Sequence, residues 1–154
     1  MLTDDLYRRL SGAEVDAHAT LAIVMCTTDA EGWPHPAMLS YYEVAAIDRQ
    51  TLRLAVYNDS RTCRNMRERS KATLILTDEH LACYVRGAVT DVMPAMASAP
   101  YNAMFVLRVD HVKFDTAPED LEPGAFVTTG IRYRPRTGAA LEQARAVLRE
   151  LVAG

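Results

Sequence analysis

The sequence predicts a mainly β fold, with antiparallel strands closed into a barrel or packed as a sandwich and with helices at the flanks. Three observations carry that expectation. Short runs rich in β-forming residues recur through the middle of the chain, turn signals separate them at brief intervals, and one segment among them has helical spacing instead. Closing the sheet is the simplest way to leave no edge unpaired.

Element by element, "DDLYRRL" and "EVDAHA" read as a short helical entry capped by Thr3 or Asp4. "TLAIVMCTT" (20–28) is nearly all apolar, as in a strand buried on both faces. The turn "DAEGW", with Gly32, leads into "PHPAMLSYYEVAAI", a long strand whose start Pro34 and Pro36 confine to an edge or loop. After "IDRQ", "TLRLAVY" alternates Leu52, Leu54 and Val56 against Thr51, Arg53 and Ala55, the pattern of a half-buried strand. "NDSRTCRNMRERSK" reads as a helix through Lys71: Asn58, Asp59 and Ser60 offer caps, no Gly or Pro interrupts it, and Cys63 and Met66 share a face. "ATLILTD" and "LACYVRGAVTDV" are strands around a turn at Glu79-His80, and "MPAMASAP" is a loop or short helix. In "YNAMFVLRVDHVKFDTA", Phe105, Leu107 and Val109 alternate before Val112 and Phe114 take the other parity, which predicts a bulge. "AFVTTGIRYRP" is a last strand or an ordered arm, and "GAALEQARAVLRELVAG" is an amphipathic helix with Leu141, Ala144, Leu148 and Leu151 on one side. The total is six or seven strands with one helix inserted between the third and fourth.

At 154 residues, 49% hydrophobic and 24% charged, the chain fits one globular domain with a real core. No apolar run approaches the ~20 residues of a membrane helix, and "MLTDDLYRRLSG" has no secretory character. Cys26, Cys63 and Cys83 are odd in number without CxxC spacing, so neither a disulfide framework nor a zinc knuckle is expected and the cytoplasm is the expected compartment. A net charge of −3 argues against nucleic-acid binding. His35, His80 and His111 offer no pair at ligand spacing, so no metal is expected, and Cys63 has no recognisable base to make it a nucleophile.

Against that acidic background, Ser60 to Lys71 gathers Arg61, Arg64, Arg67, Arg69 and Lys71 against the single acid Glu68. Cations suit a helix C-terminus, but Arg61 falls at the N-terminal end, where free N–H groups and the dipole disfavour them. A phosphate would resolve the anomaly, served by the helix start, the Ser60 and Thr62 hydroxyls and one guanidinium. The plain alternative is a solvated basic face. Trp33 suits stacking on a ligand or packing at a barrel rim, and of the adjacent Tyr41 and Tyr42 only one can line a site. Arg132, Arg134 and Arg136 alternate along the "GIRYRPR" arm, on a solvated face or in contact with an anionic cofactor. "MPAMASAP" suits core packing, or an apolar lining near a cofactor or interface.

The order of "GWPHPAMLSYYEV", "LRLAVYNDS", "SRTCRNMRERSKATLIL" and "CYVRGAVTDV" resembles the pyridoxamine 5′-phosphate oxidase-like family of FMN-binding split β-barrels, over roughly residues 18–116. The matching points are Gly32 and Pro34, then Ser60-Arg61-Thr62 with Asn65-Met66, then Ala72–Leu76, then Gly87. The resemblance implies a six-stranded antiparallel split β-barrel with flanking helices, occupying residues 1–154 as one domain, with a C-terminal arm and helix over 124–152. It implies FMN as cofactor, a homodimer, a small organic substrate and an oxidoreductase activity. Ser60, Arg61 and Thr62, with Asn65 beside them, would hold the phosphate. The backbone of Met38, Leu39, Ser40 and Tyr41 would run along the flavin, and Tyr57 and Asn58 would close its near edge. Ala37 and Thr62 stand where the family's pyridoxamine phosphate oxidases carry an arginine and a lysine, so that particular activity is not expected. Two other classes stay open: a non-catalytic flavin, heme or deazaflavin binding or sensor protein, and an apo interaction module whose basic helix meets an acidic partner.

Overall fold

Asp29 fixes the first hairpin. Its carboxylate accepts the amides of Glu31 (3.0 Å) and Trp33 (2.8 Å), and Gly32 takes φ +87° in the turn, where side chains are disfavoured. The flanking strands are β1 (Ala22–Thr28) and β2 (Pro34–Ser40), and β3 (Val44–Ala46) and β4 (Thr51–Tyr57) follow. Helix α3 (Arg61–Arg69) separates these from β5 (Lys71–Asp78), β6 (Leu81–Met93) and β7 (Asn102–Phe114). Two short helices, α1 (Asp4–Leu10) and α2 (Val15–His18), precede the strands, and α4 (Gly138–Ala153) ends the chain. The computed structural model describes residues 1–154, mostly β, as one antiparallel sheet of seven strands in the order β2-β1-β5-β6-β7-β4-β3.

The two edge strands of that sheet, β2 and β3, are consecutive in the chain. The single long strand expected from Pro34 to Ile47 is broken at Ser40–Glu43, where Glu43 N–H bonds the Ser40 carbonyl at 3.0 Å. Before the break it pairs with β1, and after it with β4. One bent run of chain therefore serves both edges and curls the sheet into a barrel. This is why the six expected strands appear as seven. β2 hydrogen-bonds no strand but β1, so a split opens between β2 and β4 beyond the bend.

The parity change in β7 is a bulge, as predicted. Arg86 pairs with His111 and Gly87 with Val109, which leaves Asp110 as the extra residue. Gly87 is required there, because a Cβ on it would stand 2.0 Å from the Arg108 carbonyl oxygen.

Inside the barrel, Ile23, Met25, Leu54, Leu74, Val85 and Phe105 meet Cys63 and Met66 of α3, which plugs one end. Thr3 caps α1 by accepting the Leu6 amide at 3.2 Å, and Leu2, Leu6 and Leu10 join the same core. A second core lies outside the sheet, where Val147, Leu148 and Leu151 of α4 cover Tyr42, Ala45, Ala55, Met96, Ala99 and Met104. β4 is therefore buried on both faces rather than half-buried, because the amphipathic helix seals its outer side. β1 departs the other way: Val24 and Cys26 on its outer face are only half-buried. α3 ends at Arg69, with Ser70 in the left-handed conformation (φ 54°) as C-cap, so Lys71 opens β5 instead of extending the helix. No helix is long and apolar enough to cross a membrane.

Gly87→Ala is expected to destabilise the protein by about 1–3 kcal/mol through forced separation of β6 from β7. Thermal melting checks this; an unchanged melting temperature would mean the strands part at no cost.

Candidate functional site

The split between β2 and β4 holds a cavity of about 230 Å³. Met25, Ala37, Met38 and Leu39 form one wall, Ala55, Val56 and Tyr57 the other, and Ser60 and Thr62 lie at the α3 end. Glu43, Tyr133 and Arg136 border the opposite end. The cavity thus joins strand edges that diverge to a helix N-terminus that needs partners.

At that helix start the Ser60 side chain does two jobs. Its oxygen accepts the Cys63 amide at 3.0 Å, and its hydroxyl donates to the Tyr57 carbonyl at 2.7 Å. Arg61 is exposed and pairs with no carboxylate. Two cations further along are matched, Arg67 to Asp91 at 2.6 Å and Arg69 to Glu68 at 3.0 Å, while Arg64 and Lys71 are exposed and unpaired like Arg61. The basic run thus mixes paired and unpaired charge, and Arg61 is the unpaired cation between Ser60 and the buried Thr62, which line the cavity.

Of the residues singled out from sequence, Met38, Leu39, Tyr57, Ser60 and Thr62 line the cavity. Asn58, Ser40, Tyr41, Asn65 and Arg61 do not. The Asn58 amide donates to the carbonyls of Pro100 (2.9 Å) and Pro94 (3.3 Å), which pins the loop 94–101 beside the site. Asn65 is buried and donates to the Thr27 hydroxyl at 3.0 Å, tying α3 to β1. Ser40 is buried with its Oγ unpartnered, while its amide donates to Glu43. Tyr41 turns to the other face of the bend: its hydroxyl accepts from Arg9 at 3.2 Å, and Arg9 also meets Asp78 at 2.9 Å. Burial raises the Tyr41 pKa despite the Arg9 bond, so the phenol stays protonated. Tyr42, its neighbour, is the one that reaches a cavity. The alternation was legible in the sequence; which tyrosine faces which side depended on the bend.

Sequence reasoning missed Glu43. Its carboxylate accepts the Ser40 amide at 3.1 Å; burial raises its pKa, and that bond and the field of Arg136 oppose the rise. The available signal was an acid in the midst of the apolar run "SYYEVAAI", at a place where a strand should carry none. The three arginines of the arm also part company. Arg132 donates to Thr20 (2.8 Å) and Thr129 (3.2 Å), Arg134 is exposed, and Arg136 lies over the rings of Tyr42 and Tyr133 at 5.6 Å from each centroid. The arm itself is not a strand; an isolated bridge at Leu21 and Arg132 and a bond from the His80 amide to the Val127 carbonyl at 2.8 Å tie it to the barrel. The Met-rich loop packs inward through Met96 and Ala99. Cys63 and Cys83 are buried, and burial pushes the Cys83 thiol up to about 11, so neither is a nucleophile near neutral pH.

No protein-family model matches the chain. The uncharacterized protein YclD of Bacillus subtilis is 29% identical over 134 residues, which cover 86% of this chain and 83% of YclD. Among solved structures, HupZ of Group A Streptococcus superposes with a TM-score of 0.59 at 14% identity, covering 84% of this chain and 100% of that one. A Lactobacillus delbrueckii protein described as a candidate pyridoxamine 5′-phosphate oxidase gives a TM-score of 0.53 at 19% identity, over 68% of this chain and 93% of its own. The fold is the pyridoxamine 5′-phosphate oxidase-like split barrel. An FMN-binding protein of Syntrophomonas wolfei shares it, with a TM-score of 0.55 at 14% identity over 75% of this chain and 92% of that one. In this split barrel the cavity occupies the split itself, between β2 and β4.

The loop 94–101 is held from the far side by α4. Glu150 accepts the amides of Ser98 (2.7 Å) and Ala97 (2.8 Å), and Gln143 donates to the Ser98 carbonyl at 2.6 Å. Burial pushes the Glu150 pKa up, but these bonds outweigh it and hold it below its usual 4.5. A depressed carboxylate contributes its stability above the unfolded value and loses it as pH falls through the folded one. Acidification below about pH 4.5 is therefore expected to loosen this loop. Hydrogen exchange at Ala97 and Ser98 measures it: Glu150→Gln should remove the acid sensitivity, and equal sensitivity in both proteins would refute the clamp.

Proposed function

We propose that the chain is an FMN-binding flavoprotein, an oxidoreductase acting on a small organic substrate, and that it works as a homodimer. The observation that carries this reading is the place of Arg61 at the start of α3. It stays exposed without a carboxylate partner, between Ser60 and Thr62, which line the cavity. An unpaired guanidinium beside free helix N–H groups suits a phosphate. The FMN-binding neighbour of the same fold supports the same cofactor.

The cavity fits part of the cofactor. At about 230 Å³ it is smaller than the roughly 300–1,000 Å³ of complete small-molecule sites. One chain would hold the phosphate end through Ser60, Arg61 and Thr62, and Met38 and Tyr57 would flank the ring system. Both are large apolar residues left open, Met38 at 53% and Tyr57 at 66% exposure, as expected of surfaces that a ligand and a second subunit cover. Bound FMN would supply the hydride transfer, so the protein's own task is to bind, orient and exclude water. Cys26, Cys63 and Cys83 are all free thiols, which suits the cytoplasm.

Titration of the apoprotein with FMN, followed by flavin fluorescence, tests the reading. Arg61→Ala should weaken binding by on the order of 2–3 kcal/mol, about thirty- to a hundredfold, while Arg69→Ala should change it little. Equal affinities in all three proteins would reduce the basic run to a solvated face. A purified protein whose only absorbing cofactor is heme or a deazaflavin would replace FMN in this reading.

Light scattering should give twice the 17.1 kDa chain mass at micromolar concentration. A monomer would remove the second subunit from the site.

A further inference from the structure

A second cavity, of about 140 Å³, opens under α4 next to the first and shares Glu43, Tyr57, Asn102 and Arg136 with it. Tyr42 and Tyr101 add aromatic walls, and Gln143, Ala144 and Val147 close it from the helix. A volume of about 150 Å³ holds one benzene ring, and this mixed, partly polar space is of that size. One aromatic ring fits, and tyrosine walls favour it through edge and offset contacts.

Arg136 sets the polarity of this space. Every other half-buried arginine has a hydrogen-bond or ion-pair partner: Arg9 with Asp78, Arg53 with the Leu151 carbonyl, Arg69 with Glu68, and Arg145 with Asp16 and Glu142. Arg136 is held in place over two tyrosine rings and yet makes neither a hydrogen bond nor an ion pair. A guanidinium that is oriented but unspent presents a fork of donors with the geometry of a carboxylate. Glu43 is the nearby acid, but it is engaged with the Ser40 amide and does not reach ion-pair distance of Arg136. Glu43 lines both cavities, and its second oxygen accepts no hydrogen bond within the chain, which leaves it as an acceptor for a hydroxyl or amino group.

We infer that this second cavity is the substrate subsite and takes a single-ring aromatic carboxylate, with the carboxylate on Arg136 and the ring against the walls made by Tyr42 and the Tyr57–Tyr101 pair. The inference rests on the reading of the first cavity as the flavin site, since it places the substrate ring beside the cofactor. The competing source of an anion for Arg136 is the cofactor's own phosphate.

Calorimetric titration of the full chain with benzoate, 4-hydroxybenzoate and neutral benzyl alcohol, and separately with FMN, tests it. Benzoate and 4-hydroxybenzoate should bind the wild type. Arg136→Gln should weaken both by about tenfold or more while weakening FMN far less, and Arg136→Lys should recover part of the loss. Arg61→Ala should show the opposite pattern, losing FMN and keeping benzoate. Benzyl alcohol should bind weakly and equally to wild type and Arg136→Gln. Thermal melts of each variant report whether it is folded. Absence of benzoate binding to the wild type overturns the subsite, whatever FMN does. Loss of FMN without loss of benzoate in Arg136→Gln also overturns it, by assigning Arg136 to the phosphate. Arg136-dependent benzoate binding in a protein that takes no FMN would support the subsite and overturn the flavin reading alone.

Discussion

Closure of the sheet by one bent run of chain is the constraint on which the rest of this molecule depends. An open sheet of this length would leave two rows of unpaired backbone groups. Here β2 satisfies β1, β3 satisfies β4, and the four residues Ser40 to Glu43 carry the chain from one edge to the other. Because β3 is short, closure stops at the bond from the Ala55 amide to the Glu43 carbonyl, 2.9 Å. Beyond that point the two edges diverge, and the divergence is the cavity. The site is therefore a consequence of incomplete closure, in a place where neither strand edge has a partner and the N-terminus of α3 stands at the end.

The same bend decides which surfaces are dry. Tyr41 and Tyr42 leave it on opposite sides, one toward α1 and the Arg9–Asp78 pair, the other toward α4. Each helix covers what the bend turns toward it. This gives the protein two apolar cores, one within the barrel and one between the sheet and α4, with the aromatic side of the site built on the second. α4 also fixes the loop 94–101 through Glu150 and Gln143, so the helix that covers the outer side of β4 also sets the position of Tyr101.

The strands, the hairpin at Gly32, the bulge in β7 and the amphipathic α4 were legible because each is encoded by local spacing. The helix after β4 was legible for the same reason, as were Ser60 and Thr62 as residues at its open end. What was not legible depended on contacts distant in sequence. Ala55 and Arg53 alternate like an exposed face, yet α4 returns about a hundred residues later to cover them. Asn65 looked available, but Thr27 had taken its amide. Arg67 and Arg69 looked like part of one basic face until Asp91 and Glu68 divided it. Parity shows that only one of Tyr41 and Tyr42 can line a site, but not which, because the strand passes from one sheet edge to the other at that point.

Glu43 shows how the bend and the chemistry are joined. The carboxylate is needed where it is, because it satisfies the Ser40 amide that the bend would otherwise orphan. Burial there costs free energy for the charged form, and the field of Arg136 offsets part of that cost from beyond ion-pair distance. Had Arg136 moved into contact, the pair would have been more strongly bound and the space between them filled. Held instead over Tyr42 and Tyr133, the guanidinium stabilises the carboxylate through space and keeps its own hydrogen-bond donors free. Closing the barrel with an acid at the bend, and answering that acid with a cation supplied by the C-terminal arm, leaves an acceptor and a donor fork facing the same end of the split. An apolar residue at position 43 would leave the Ser40 amide unsatisfied and Arg136 with no field to answer, so the polarity of the site and the closure of the fold rest on the same side chain.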